Sequence, residues 1–81
     1  MLTKRSFSLA GHRTSVALEA AFWDALTAIA AREGVTLAAL VARSDGARGP
    51  ETPLASALRV LALHAANAQG VHETRDNPAS D

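Results

Sequence analysis

The apolar positions of this chain change period along its length. From Arg5 to Leu9 polar and apolar side chains alternate, with Phe7 and Leu9 on one side, and Arg13 to Leu18 reads the same way through Val16 and Leu18. Period two places successive side chains on opposite faces, so each segment is a candidate strand. Ala10, Gly11 and His12 lie between them, a connection short enough for a hairpin, although this glycine is a weaker signal than an Asn-Gly pair. From Ala20 to Glu33 the spacing becomes helical: Phe22, Leu26 and Ile29 recur at i, i+4 and i+7, widened by Ala25 and Ala30. Gly34 offers a left-handed stop, and Thr36 can cap a second helix that carries Leu37, Leu40 and Val41 and ends near Ser44.

Residues 45–52 hold two glycines and a proline without an apolar period, which predicts a linker. A third helix follows, with Thr52 as its cap, Pro53 in its first position and a stripe of Leu54, Leu58 and Leu61, until Gly70 supplies a stop. Residues 70–81 are polar with little to bury and predict a disordered tail, leaving 1–69 as a single domain. The expected class is mainly α with a short β element.

Composition sharpens this picture in two ways. With 81 residues and no cysteine, the chain has neither a large core nor disulfides or thiolate metal sites to stabilise it, so a second subunit would relieve the shortage. No stretch approaches the roughly 18 apolar residues of a membrane span and the start lacks a signal-peptide run, so the expected location is cytoplasmic, with no membrane partner. The eight Lys and Arg balance eight Asp and Glu, but unevenly. Lys4, Arg5 and Arg13 precede the first acidic residue, Glu19, whereas Glu73, Asp76 and Asp81 gather at the other end.

Thr14-Ser15-Val16-Ala17-Leu18, the stretch from Phe22 to Ile29, and Glu33-Gly34-Val35-Thr36-Leu37 form a strand and two helices with a glycine-centred turn. This arrangement, over residues 12–44, resembles the ribbon-helix-helix family. Lys4-Arg5-Ser6, the run from Ala10 to Ser15, Leu18-Glu19 followed by Phe22 to Leu26, and Ser56 to Val60 look more specifically like a subgroup of short bacterial proteins within it, across residues 4–63. The resemblance implies a homodimer in which one strand from each subunit pairs antiparallel and the ribbon enters the major groove of DNA, typically in a transcriptional regulator. It implies a ribbon-helix-helix fold with an N-terminal strand or arm and an extra C-terminal helix.

Aligned on the Gly34 turn, Arg13, Ser15 and Ala17 are the positional equivalents of the family's base-reading residues, while Thr14, Val16 and Leu18 face the helices. Ala17 departs from the polar residue expected there; it can touch a thymine methyl, or the face reads no sequence. Thr36 with the amides of Leu37 and Ala38 forms a helix N-terminus suited to a phosphate. Lys4 and Arg5 are further phosphate candidates if the N-terminus is a flexible arm. If it is an ordered strand on the ribbon's outer edge, the dimer has a four-stranded sheet. The expected dimer core is Val16, Leu18, Phe22, Leu26, Ile29, Leu37, Leu40 and Val41.

Trp23 lies off the Phe22 stripe, on a flat face with Thr27, Ala30 and Ala31. Core packing against Phe7, Leu9 or helix three is its expected use, with ligand stacking as the alternative. His12, His64 and His72 are too scattered for a zinc site, and no Ser-His-Asp order, paired acids or phosphate loop is present. Glu19 and Asp24 near the start of helix one need no catalytic explanation. The expectation is a non-enzyme without cofactor or metal, whose partners are a second copy of itself and double-stranded DNA. The alternative is a structural or protein-interaction dimer that does not bind DNA.

Overall fold

The computed structural model describes the backbone of residues 1–76 and the side chains of residues 1–68. Two strands, β1 (Leu2–Leu9) and β2 (His12–Glu19), are followed by α1 (Ala20–Glu33), α2 (Leu37–Ala47) and α3 (Leu54–Asp76). The N-terminus is therefore an ordered strand from Leu2, and the arm alternative is set aside. β1 and β2 pair antiparallel in a register that sets Leu9 opposite His12, Phe7 opposite Thr14 and Arg5 opposite Val16. The connection is the two residues Ala10 and Gly11, at φ 52° and 82°. Positive φ at both central positions matches the twist of paired strands, and glycine adopts it without a Cβ clash.

Phe7, Leu9, Val16 and Leu18 are buried beneath the sheet, as the alternation predicts. They meet Trp23, Leu26, Ile29 and Ala30 of α1, Leu40 and Val41 of α2, and Leu54, Leu58 and Ala62 of α3 in one cluster. Leu18, Leu26, Leu40 and Leu58 are fully buried, a change worth roughly 1.5–3 kcal/mol for each side chain. α1 ends where Gly34 enters the left-handed region at φ 73°, and its amide and that of Val35 return to the carbonyls of Ala31 and Ala30. Past this turn α2 leaves at 100° to α1. No single helix among the described residues is long and apolar enough to cross a membrane.

The helix limits differ from the expected ones. α2 continues past Ser44 to Ala47, with Gly46 inside it, because Arg48 closes the end: its amide donates to the Ser44 carbonyl, its Nε to Asp45 and its Nη1 to the Thr52 carbonyl. The linker is shortened accordingly. α3 starts one residue later than expected, at Leu54, with the Pro53 carbonyl accepting from Ala57. It runs through Gly70 to Asp76, so Gly70 is not its stop; a glycine inside a helix costs only about 1 kcal/mol relative to alanine. Residues 77–81 of the expected tail lie outside the described residues.

Within α1 the buried stripe is Trp23, Leu26, Ile29 and Ala30, whereas Phe22 is half-buried. Leu26 and Leu40, expected to need a second subunit's helices, are already buried inside one chain, where α1 packs on α3, α2 and β2, and α2 packs on α3, α1 and β1.

Candidate nucleic-acid interface

Strand parity sorts the hairpin into two faces. Phe7, Leu9, Val16 and Leu18 point at the helices, so their neighbours Ser6, Ser8, Ser15 and Ala17 point away. The register sets Lys4 opposite Ala17, Ser6 opposite Ser15 and Ser8 opposite Arg13, which makes all six side chains members of the outward face. Arg13 and Ser15 are exposed, while Ala17 is half-buried. The Ser6 and Ser15 hydroxyls stand 3.0 Å apart and tie the two rows together. The outward row of β2 is thus where the alternation puts it. Ser6 and Ser8 had escaped notice, although the Phe7 and Leu9 alternation already placed them on the side away from the core.

Glu19 ends this face and is the one carboxylate on either strand. The Arg59 guanidinium of α3 donates to its Oε1 through Nε at 3.1 Å and Nη2 at 3.0 Å. A hydrogen bond from its own backbone amide, and next the bond from Arg59, hold the Glu19 carboxyl below the ordinary value of 4.5. Arg59 lies over the Phe22 ring at 5.7 Å. The sole negative charge of the hairpin is therefore matched by a cation from α3, and the outward face is left with Lys4, Arg13 and three serine hydroxyls.

Lys4 and Arg5, adjacent in sequence, part company in the fold. Arg5 shares the helix-side parity of Phe7, and its guanidinium stands 5.3 Å from the centroid of the Trp23 ring. Trp23 itself is buried at 2% exposure, tilted against Phe7 with centroids 5.9 Å apart, and donates its Nε1–H to the Thr3 carbonyl at 2.7 Å. It is a core residue that fastens β1 to α1. Arg5 is accordingly turned away from the face that carries Arg13.

At the start of α2, the Thr36 hydroxyl accepts the Ala39 amide at 3.0 Å. That bond caps the helix as expected. The amides of Leu37 and Ala38 belong to the same first turn, which has no acidic residue. Ala38 is exposed and Leu37 half-buried. Among the described residues, no three His, Cys, Asp or Glu side chains gather closely enough to hold a metal ion.

A hairpin, two helices joined at a Gly34 turn and an added C-terminal helix is the order found in the structure, and a family profile for the ribbon-helix-helix domain matches residues 2–66. The chain belongs to the ribbon-helix-helix family. No curated protein and no solved structure matches it. The family match covers β1 and α3 as far as residue 66 as well as the strand and helix pair of residues 12–44.

Proposed function

We propose that this ribbon-helix-helix protein is a homodimeric DNA-binding transcriptional regulator whose β2 strands pair across a two-fold axis and read bases from the major groove. The observation that carries the reading is the outward hairpin face: Arg13 and Ser15 of β2 are exposed there beside Lys4, Ser6 and Ser8, and its terminal carboxylate is bound by Arg59. One edge of β2 is taken by β1, which leaves the other for a second copy. Half-buried Phe22 and Leu37, with exposed Val35, supply apolar surface for the same contact. Arg13 offers the bidentate fork suited to guanine, Ser15 a hydroxyl, and Ala17 a methyl contact at the edge of the face. Thr36 and the Leu37 and Ala38 amides are assigned to phosphate.

Selection of genomic fragments by the wild-type protein, followed by titration of a selected and a random duplex, tests this assignment. Arg13→Ala is expected to weaken the selected duplex by about 1–3 kcal/mol and the random duplex by less. Equal affinities of Arg13→Ala and wild type for the selected duplex would remove Arg13 from the reading face.

A protein-interaction dimer is the second reading, and Val60 and Leu63 favour it. They lie three residues apart on α3 and are 50% and 55% exposed. Failure of the wild type to retain any genomic duplex at low salt would put that reading first.

A further inference from the structure

We propose that β1 is a second DNA-contacting strand, in which Lys4, Ser6 and Ser8 hold the two phosphate rails while β2 occupies the groove between them. This inference rests on the DNA-binding reading above and adds to it a distinct set of contacts. Each protomer contributes a hairpin and not a lone strand, because β1 pairs with β2 along its whole length. Two-fold pairing through the free edge of β2 then gives the order β1, β2, β2, β1.

Strands lie about 4.8 Å apart, so the two β2 axes are separated by that distance and the two β1 axes by about 14 Å. The major groove is about 12 Å wide. The inner pair fits within it and the outer pair does not. A sheet laid along the groove therefore brings each β1 over a rim, and the rims are the phosphate backbones.

The chemistry of the β1 outward row suits that position. Lys4, Ser6 and Ser8 are all exposed and supply one ammonium and two hydroxyl donors, with no carboxylate among them. Ser8 is paired with Arg13 and Ser6 with Ser15, so each candidate phosphate contact stands beside a candidate base contact on the same face. Ser6 is held by its 3.0 Å contact to Ser15, which fixes the row relative to β2. Arg5, on the opposite face above Trp23, is left out of the set.

Contacts to phosphate carry no sequence information, and each neutralised phosphate lowers the log–log salt slope by roughly 0.9. Lys4→Ala combined with Ser8→Ala, in the full chain, is expected to weaken selected and random duplexes by the same factor. The salt slope should fall by about two, one for each protomer's Lys4. In phosphate-ethylation interference with the selected duplex, one cluster of phosphates on each side of the half-sites should lose its effect in the variant. An unchanged affinity and slope, or a loss confined to the selected duplex, overturns the phosphate role of β1 and leaves the β2 reading intact. Absence of wild-type binding to either duplex overturns both.

Discussion

Phe22 and Trp23 follow one another in α1, yet only Trp23 enters the core. Successive helical residues are about 100° apart, so either aromatic can lead a stripe through Leu26 and Ile29. The choice is made by β1, which reaches Trp23 and offers Phe7 to the ring and the Thr3 carbonyl to Nε1. Periodicity within one helix carries no information about where a distant strand will lie, which is why the Phe22 stripe looked equally good. Trp23→Phe keeps an aromatic ring but removes the N–H donor and part of the volume. It is expected to cost about 1–2 kcal/mol, measured as a lower urea midpoint with unchanged slope. An unaltered midpoint would mean that neither the hydrogen bond nor the indole's extra volume stabilises the fold.

At the scale of elements, the strands and helix stripes could be read because a buried face imposes a period: Val16 with Leu18, Phe7 with Leu9, and Leu54 with Leu58 all point where the alternation or spacing requires. Gly34 and Thr36 were equally legible, since a left-handed stop and an N-cap each demand a narrow set of residues. The α2 end was not, because it depends on Arg48 reaching back to Asp45 and across to Thr52. The hairpin turn was legible only through Gly11. Ala10 stands at φ 52° with a Cβ in the left-handed region, which ordinary L-residues avoid by roughly 1–2 kcal/mol. Asparagine tolerates this region better, so Ala10→Asn is expected to stabilise the protein by about 0.5–1 kcal/mol, read as a higher melting temperature at fixed concentration. A lower melting temperature would show that Ala10 is not strained there.

For the whole molecule, the small core is more complete than an 81-residue chain of this family seemed to permit, since Leu26, Leu40 and Leu58 are fully buried within one copy. The three helices and the hairpin cover one another: β1 packs on α2, β2 on α1 and α3, and α3 on both other helices. What remains for a second copy is the free edge of β2 and the partly covered Phe22 and Leu37. Dimerisation is therefore expected to add to a pre-existing core: sedimentation at micromolar concentration should give twice the chain mass, and the melting temperature should rise with protein concentration. A monomer with concentration-independent melting would contradict the two-fold assembly.

The pairing of β1 along β2 also bears on fibrous aggregation, to which open strand edges are prone. A lone ribbon strand has two open edges, and a chain that can pair on both can keep adding copies. Here one edge of β2 is covered from Leu2 to Leu9. Joining two copies through the other leaves β1 as the outermost strand at both ends, with Lys4 and Arg5 along it. A third hairpin approaching that edge would have to set its own cations against these, and charged edge strands of this kind oppose further addition. Sheet growth would then stop at four strands, and solubility at high concentration would depend on residues at the very beginning of the chain.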